Sequence, residues 1–227
     1  MNLSKSREIF EPAEVKEKFH IIGCGSVGSS VAELLARFGL TKFTLYDFDR
    51  VESKNIVNQM FTYNDIGKLK VEALRDIIVS INPEASNDIK LQPDGYEAQP
   101  LAGYVILAVD NIELRKKIVE ANKQNRHIKA IFDFRTGLYD AQHYAADWSK
   151  SQDKEFLLNT MQFTHEDAQK ETPVSACGTV LGVAPTVRSI ATAGVVNIFN
   201  FIKFGKLNQI VSSNPFEFSL LGLGQET

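Results

Sequence analysis

A glycine-rich turn joins a short apolar segment to an amphipathic one near the beginning of this chain. Residues 19–28 read F-H-I-I-G-C-G-S-V-G, and apolar residues then recur at helical spacing as far as Phe38. An apolar strand that passes through Gly-x-Gly-x-x-Gly into a helix is typical of the first unit of a nucleotide-binding α/β fold. In such a unit Gly23 allows the tight turn, Gly25 lets a ligand approach the backbone, and Gly28 lets the helix pack closely on the strand.

Segments of strand and helix type alternate up to residue 134. Strands are predicted at 19–22, 42–47, 89–91, 104–109 and 128–134, and helices at 27–38, 65–81 and 112–122. The run Y-V-I-L-A-V at 104–109 is continuously apolar, which is typical of a strand buried on both faces. Alternating strands and helices indicate βαβ units. We therefore predict an α/β, Rossmann-like fold built on a mostly parallel, doubly wound sheet.

The pattern changes after Arg135, where a C-terminal extension of strands and helix is expected. The predicted elements are a strand at 138–148, with an antiparallel arrangement left open, a helix at 186–204 and a short strand near 216–221. The polar segment 149–172 is predicted to form a mobile loop or a partly helical excursion. Because the sequence contains no repeat and no linker, we expect one domain over residues 1–227, with an N-terminal arm at 1–18.

Composition and charge argue against several classes of partner. The chain has 227 residues and a net charge of −3, so it has no overall positive charge that would attract nucleic acid or an anionic membrane. The longest apolar region, 180–204, is interrupted by polar residues and is not expected to span a bilayer. The first ten residues lack the apolar core of a signal peptide, and the two cysteines indicate no disulfide framework. We therefore expect a soluble, cytoplasmic protein.

Polar side chains follow the predicted strands at the end where a ligand crevice would form. Asp47 ends the second strand, Asp49 follows it, and Asp110 and Asn111 follow the central strand. Asp47 is placed to accept hydrogen bonds from a ribose hydroxyl. The glycine motif alone suits NAD, FAD, SAM or ATP. Additional acids and Lys70 favour ATP, because Mg²⁺ takes carboxylate oxygens and a lysine offsets charge on an attacked phosphate.

Several motifs in a fixed order resemble the ThiF/MoeB/HesA family, the bacterial relatives of ubiquitin-activating E1 enzymes. They are GCGSVG, LYDFDRVESKNIVNQ, DIGKLKVEAL with SINPE, and AVDN with Arg115 soon after. The resemblance is close over residues 19–115 and weaker as far as 204. It implies an E1-like adenylyltransferase that uses ATP and Mg²⁺ on the C-terminal carboxylate of a ubiquitin-like or sulfur-carrier protein ending in Gly-Gly. It also implies a homodimer.

The resemblance implies a role for each residue that matches the family's motifs. The nucleotide-binding residues are then Gly23, Gly25, Gly28, Asp47, Asp49, Asn55, Asn58, Gln59, Lys70 and Asn111. Asn55, Gln59 and Lys70 face the phosphates, and Asp110 holds Mg²⁺ or positions the α-phosphate. Arg7 corresponds loosely to an arginine that reaches a partner subunit's phosphates, and a solvated surface role is its alternative.

Two departures from the family pattern matter. Asn58 stands where the family usually has a phosphate-binding arginine, and an amide brings no charge. We predict that Arg135 compensates from the end of its strand, with an ordinary ion pair to Asp133 or Asp140 as the alternative. The paired C-x-x-C motifs of many relatives are missing, so a small, zinc-free member is expected. An NAD-dependent oxidoreductase, or a nucleotide-binding pseudoenzyme or scaffold, remains an alternative function.

Cys177 lies in the sequence PVSACGTVLG, just before the last predicted helix. Relatives that form a thioester or a persulfide place a cysteine in much this position. A thiol beside a helix N-terminus has a lowered pKa and is more nucleophilic. We therefore predict that Cys177 captures the activated acyl group, with a buried, inert thiol as the alternative.

Overall fold

The computed structural model describes residues 1–164, 166–167, 174–175 and 181–224. Its strands are β1 Phe19–Ile22, β2 Phe43–Tyr46, β3 Lys90–Gln92, β4 Gly103–Leu107, β5 Ile128–Thr136, β6 Ala141–Asp147, β7 Asn208–Asn214 and β8 Ser219–Gly224. Its longer helices are α1 Ser26–Arg37, α2 Lys70–Ile81, α3 Ile112–Ala121, α4 Ser151–Asn159 and α5 Ala184–Phe204. None of these described helices is long and apolar enough to cross a membrane.

All eight strands form one sheet in the order β3-β2-β1-β4-β5-β6-β7-β8. The pairs from β3 to β5 are parallel, and those from β5 to β8 are antiparallel. The predicted mostly parallel sheet with a C-terminal extension is confirmed. In the parallel part, Ile22 pairs with both Tyr46 and Leu107, so three strands end at the same level.

Helices cover both faces of the parallel strands, as expected for a doubly wound sheet. On one face, the core cluster joins α1, α2 and α5 to the sheet through residues such as Val31, Leu74 and Ile190. On the other face, Ile118 of α3 and Leu157 of α4 pack against the strands. This burial holds the helices in place, because the apolar area removed from water contributes roughly 25 cal/mol per Å².

The main differences from the sequence-based predictions concern α2, β7 and β8. Helix α2 begins at Lys70 rather than at residue 65, after a short 3-10 turn at Tyr63–Asp65 and a positive φ at Gly67. Helix α4 occupies part of the segment 149–172, which agrees with the partly helical alternative. Strand β7 was not predicted, because its sequence NQIVSSN is largely polar and only half-buried. Strand β8 lies three residues later than predicted at both ends, 219–224 against 216–221.

Two histidines are buried within the fold. His20 contacts the hydroxyl of Tyr46 across 2.8 Å, and His143 is packed against the ring of Phe134 with centroids 4.3 Å apart. Burial lowers the pKa of each imidazole to about 4, and for His143 the nearby Asp133 opposes that shift. Both histidines are therefore neutral in the folded protein at neutral pH.

We predict that acidification destabilises the fold through these two histidines. The pKa of each folded imidazole lies below the unfolded value of about 6.5, so the stabilisation is complete above that pH and is lost as the pH falls toward 4. Between pH 7 and pH 5, protonation linked to each histidine should lower the free energy of unfolding by on the order of 1–2 kcal/mol. Urea unfolding of His143→Leu should show a smaller loss of stability over this pH range than unfolding of the wild type does. The exposed control His127→Leu should lose as much stability as the wild type. Equal pH dependence of His143→Leu and wild type would contradict the prediction.

Candidate active site

A cleft of about 870 Å³ opens at the carboxyl ends of the parallel strands, within the size range of small-molecule sites. It lies where the strand order reverses between β1 and β4, which is the usual ligand position in open α/β sheets. All ten predicted nucleotide-binding residues except Gly28 line it, and so does Asp110. The structure therefore brings these residues together at one cleft, and their roles there stay predictions.

Four helices begin at this cleft. Helix α1 starts after Gly25, α2 starts with Lys70, α3 is preceded by Asn111, and α5 follows shortly after Gly182. The N-terminus of a helix carries a partial positive charge and unpaired N–H groups that favour anions. The first turns of α1 and α5 contain no acidic residue. A chain with net negative charge thus presents a cleft suited to phosphate.

The glycine turn owes its sequence to three different constraints. Gly23 has φ +94°, and a Cβ there would lie 2.6 Å from the carbonyl oxygen of Ala108. A Cβ on Gly28 would lie 1.8 Å from the carbonyl oxygen of Gly23, so the helix packs directly on the turn. Gly25 lines the cleft, and none of the described protein atoms lies within 4 Å of an added Cβ. Protein packing therefore requires two of these glycines but leaves Gly25 unexplained without a ligand.

Asp47 is fixed by two backbone donors. The N–H of Cys24 donates to its Oδ2 across 2.7 Å, and the N–H of Asp49 donates to its Oδ1 across 2.9 Å. Burial raises the pKa of Asp47, while Lys70 and the two backbone hydrogen bonds oppose that shift. Each carboxylate oxygen has a second lone pair. Asp47 therefore keeps acceptor capacity for hydroxyl groups in the cleft.

Lys70 is held at the start of α2 by its side chain and its backbone. Its ammonium lies 2.7 Å from Oδ2 of Asp49, and its N–H donates to the carbonyl oxygen of Asp49 across 2.9 Å. The side chain is only 9% exposed. Because an ammonium has three N–H donors, the pair with Asp49 leaves donors for an anion. Asp49 thus positions the lysine.

The segment after β2 places two amides at the cleft. Asn55 lies within the 3-10 turn Ser53–Val57, and its Oδ1 accepts from the N–H of the capping residue Glu52 across 2.8 Å. Gln59 follows the same turn, and its N–H donates to the carbonyl oxygen of Asn55. Its buried Oε1 has no hydrogen-bond partner among the described residues. A buried, unpaired amide oxygen is costly, so this cleft wall is incomplete without a donor from a ligand.

The end of β4 presents Asp110 and Asn111. The Oδ1 of Asn111 accepts from the N–H of Leu114 across 2.8 Å, so this side chain caps α3. Asp110 is exposed at the cleft. The described ranges contain no group of three or more metal-ligating side chains. A single exposed carboxylate still fits Mg²⁺ in nucleotide sites, where the ion usually takes one or two carboxylates together with substrate phosphates.

Two predicted catalytic arginines do not line the cleft. The guanidinium of Arg135 donates to Asp133 and Thr160, with Nε 2.7 Å from Oδ2 of Asp133. Its position thus corresponds to the ion pair that is the alternative to a role in the cleft. Arg7 is exposed, pairs with Glu11 and lines a separate cavity that includes Tyr104. Tyr104 lies near the opposite end of β4, four residues before Ala108, which lines the cleft, a separation of about 13 Å at ~3.3 Å per residue. Arg7 therefore does not reach the cleft of its own chain.

Sequence reasoning missed several residues that line the cleft. They are Lys54, Val57, Phe48, Tyr96, Leu114, Leu181 and Gly182. Lys54 lies within the quoted motif DFDRVESKN, where its charge was a usable signal. The others carry no local signal, because only the folded chain brings them together. Cys177 lies outside the described residues.

The fold and the cleft define a Rossmann-type α/β protein with its ligand site at the reversal of strand order. The chain belongs to the ThiF family, whose match covers residues 15–221. It is 37% identical over 90 residues to ubiquitin-like modifier-activating enzyme 5 of Caenorhabditis elegans, which is 39% of this chain and 22% of that protein. It is 36% identical over 112 residues to the tRNA threonylcarbamoyladenosine dehydratase of Haemophilus influenzae, which is 47% of this chain and 43% of that protein. The matches thus span less than half the length of either relative.

A solved structure shares the fold over nearly the whole chain. Escherichia coli MccB in complex with ATP superposes with a TM-score of 0.66 at 20% sequence identity. The superposition covers 92% of this chain and 63% of MccB. At this level of identity the likeness concerns the fold. It agrees with the predicted Rossmann-like fold.

We predict that Gly25→Ala keeps the fold but weakens nucleotide binding. The added methyl group meets only the space in which a ligand would approach the backbone. The free energy of unfolding should stay within about 0.5 kcal/mol of that of the wild type, as for substitutions without a steric conflict. The dissociation constant for ATP should rise at least tenfold, an energy of about 1.4 kcal/mol.

Gly28→Ala is the matched comparison, because its methyl group would overlap the carbonyl oxygen of Gly23. This variant should be strongly destabilised or fail to fold. Circular dichroism, urea unfolding and isothermal titration with ATP separate the two effects. Unchanged ATP affinity in Gly25→Ala would show that no ligand approaches this position.

Proposed function

We propose that this protein adenylates the C-terminal carboxylate of a small protein, using ATP. The observation that carries the proposal is the convergence of the glycine turn, Asp47, Lys70 and Asp110 on one cleft in a member of the ThiF family. A relative named as a ubiquitin-like modifier-activating enzyme and a fold neighbour bound to ATP support it. An oxidoreductase would leave Lys70 and Asp110 without a role.

In the proposed arrangement, each part of ATP meets residues of matching chemistry. The ribose hydroxyls donate to the free lone pairs of Asp47. The phosphates lie at the N-terminus of α1, beside Gly25, and near the ammonium of Lys70. Gln59 donates to a phosphate oxygen through its amide N–H groups and reorients its unpaired Oε1 toward a ribose or water donor. These contacts orient the α-phosphorus toward the open side of the cleft.

The reaction is a displacement at the α-phosphorus of ATP. A carboxylate oxygen of the partner forms a new bond to the α-phosphorus, and the bond from that phosphorus to the bridging oxygen breaks. Pyrophosphate leaves with the bonding electron pair, and an acyl adenylate remains. Lys70 stabilises the negative charge that develops on the phosphates, an effect worth on the order of 10²–10³ in rate for one well-placed group.

Asp110 would hold Mg²⁺ together with phosphate oxygens of ATP. When bound, Mg²⁺ neutralises part of the charge on the leaving pyrophosphate. The carboxylate of Asp110 is exposed at the end of β4, where it meets a ligand without desolvation of a buried acid. This position agrees with the role that the family resemblance implies.

A second cation near the phosphates offsets the neutral side chain of Asn58. Lys54 lines the cleft and pairs with Glu52 across 3.0 Å at an exposed position, so its ammonium is free to share an anion. Arg135 is less suited to this role, because its guanidinium is engaged by Asp133 and Thr160. Lys54 is therefore the better candidate for the missing charge.

The partner we propose is a ubiquitin-like or sulfur-carrier protein with a C-terminal Gly-Gly, and we propose a homodimeric, cytoplasmic enzyme. Strand β8 supports a protein partner, since it lies at the edge of the sheet and exposes Leu220, Leu221 and Leu223. Exposed apolar edge strands are typical of interaction surfaces. In a dimer, Arg7 would serve only the cleft of the other subunit.

We predict that Asp110→Asn lowers ATP–pyrophosphate exchange on the order of 10²-fold without changing stability. The amide keeps the shape of the carboxylate but loses its charge toward Mg²⁺. The assay uses the purified chain, labelled pyrophosphate, Mg·ATP and small proteins ending in Gly-Gly encoded near its gene. Exposed Asp140→Asn, outside the cleft, is the control and should exchange at the wild-type rate.

The same assay tests the rival functions. Tighter binding of NADH than of ATP by the wild type would favour an oxidoreductase. Binding of ATP without exchange for any partner would favour a pseudoenzyme. A wild-type exchange rate in Asp110→Asn, with the same Mg²⁺ dependence, would remove Asp110 from the proposed site.

We further predict that Cys177→Ser leaves exchange intact but abolishes any thiol-sensitive adduct with the partner. Adenylation and thiol capture are separate steps, and only capture needs a strong nucleophile. The other cysteine, Cys24, is fully buried, and burial raises its pKa well above the usual value, so it does not compete. Intact mass after incubation with Mg·ATP and the partner measures the adduct. An undiminished adduct in Cys177→Ser would contradict the prediction.

A further inference from the structure

Asn58 joins two walls of the cleft that are far apart in sequence. Its Nδ2 donates to the carbonyl oxygen of Gly182 across 3.2 Å, a contact between residues separated by 124 positions. Both residues line the cleft. Asn58 directly follows the turn Ser53–Val57, and Gly182 lies just before α5. The contact therefore bridges the mouth of the site.

The glycine at 182 is explained by this contact. A Cβ on Gly182 would lie 2.8 Å from Nδ2 of Asn58, and no other described atom lies within 4 Å of it. The φ angle of Gly182 is outside the left-handed region, so the backbone does not call for glycine. Only the amide of Asn58 occupies the space that a side chain would take. The two residues thus fit each other.

One of the two bridged walls is anchored in the core. Helix α5 has 21 residues, carries Pro185 in its first turn and buries residues such as Ile190 and Ile198. Gly182 precedes this helix by two positions, so its carbonyl oxygen lies next to a rigid element. The opposite wall is a short 3-10 turn. A bond from Asn58 to Gly182 therefore fixes the turn against the helix.

The wall that Asn58 fixes is the one beside the start of α1. The N–H of Met60 donates to Oγ of Ser29 across 3.2 Å, which holds the segment after Asn58 against the first turns of α1. Gln59, with its unpaired Oε1, lies between these two anchor points. The segment thus reaches the phosphate end of the cleft, where the N–H groups of α1 are free.

We propose that Asn58 is a positioning residue that clamps the phosphate-side wall of the cleft to the start of α5. The proposal rests on the function proposed above and deepens it. A neutral amide with a short side chain reaches the carbonyl of Gly182 and still has a second N–H and its oxygen. An arginine at this position would be longer and charged, and phosphate would attract it away from the carbonyl. At this position Asn58 therefore holds the cleft wall through a hydrogen bond, where an arginine would bind phosphate. The missing charge matters less than the hydrogen bond.

The test is a double-mutant cycle on nucleotide affinity. Asn58→Ala removes the donor, and Gly182→Ala displaces the amide, whose side-chain end can move without cost to the fold. Each variant should bind Mg·ATP about fivefold more weakly, the effect of losing one hydrogen bond. The double variant should be no weaker than either single one, because the same contact is lost once. If the affinity losses of the two single variants add in the double variant, the proposal is overturned.

Adenosine binding separates the clamp from a general structural defect, because such a defect would weaken adenosine as well as Mg·ATP. Because the clamp acts on the phosphate side, Asn58→Ala should weaken Mg·ATP but bind adenosine as the wild type does. Isosteric Asn58→Asp lacks the donor and adds a negative charge that faces the carbonyl oxygen and the phosphates, so it should weaken Mg·ATP at least as much as Asn58→Ala does. Exposed Asn64→Ala, in the neighbouring 3-10 turn, is the control and should match the wild type. Equal weakening of adenosine and Mg·ATP in Asn58→Ala would overturn the proposal.

Asn58→Arg separates the clamp from a simple loss of charge. If Asn58 acts as a clamp, this variant should bind Mg·ATP no more tightly than the wild type. Tighter binding and faster exchange would show that the position only lacks a cation. The wild type reports on the proposed function independently: no binding of Mg·ATP by the wild type would reject adenylation, whereas wild-type binding with an unchanged Asn58→Ala would reject the clamp alone.

Discussion

The close packing of the glycine turn on itself and on β4 is the constraint on which the site depends. The carbonyl oxygen of Gly23 occupies the place of a Cβ on Gly28, and the carbonyl oxygen of Ala108 closes the space beside Gly23. These contacts bring β1, α1 and β4 together at one point. The cleft groups at the ends of the parallel strands are positioned relative to this junction, because neighbouring parallel strands end at the same level.

A buried ionic group fixes the far side of that junction. Arg115 of α3 pairs with Asp133 and donates to carbonyl oxygens of Val109 and, across 2.7 Å, Phe134. Asp133 is fully buried and also accepts from Arg135. Buried charges are stabilising only when they are fully hydrogen-bonded, and here the strand ends supply the partners. The carboxylate of Asp110 is therefore presented by a rigid strand end. Arg115 and Arg135 act on the site through this structural role.

The cleft combines fixed partial charges with few free cations. Four helix N-termini lie at the cleft, and Lys54 and Lys70 are the cationic side chains among its described lining residues. Lys70 is held by Asp49, and Asn55 and Asp47 are held by backbone groups. Such prior fixing reduces the reorganisation that charge development requires. A wall tethered through Asn58 and Gly182 extends the same principle from single side chains to a whole segment.

The sequence by itself determined the alternation of elements through β5, the glycine turn and the strand-end acids, because each is encoded in a local pattern of apolar, glycine or acidic residues. It did not predict β7, whose polar residues carry no strand pattern, and it left Arg135 open between the cleft and an ion pair with Asp133 or Asp140, which its contacts with Asp133 and Thr160 decide. Only the tertiary structure decided that Arg7 lies at the opposite end of the sheet, and that Asn58 meets Gly182. Contacts between residues 124 positions apart leave no periodicity in a sequence, since they arise from packing of elements already formed.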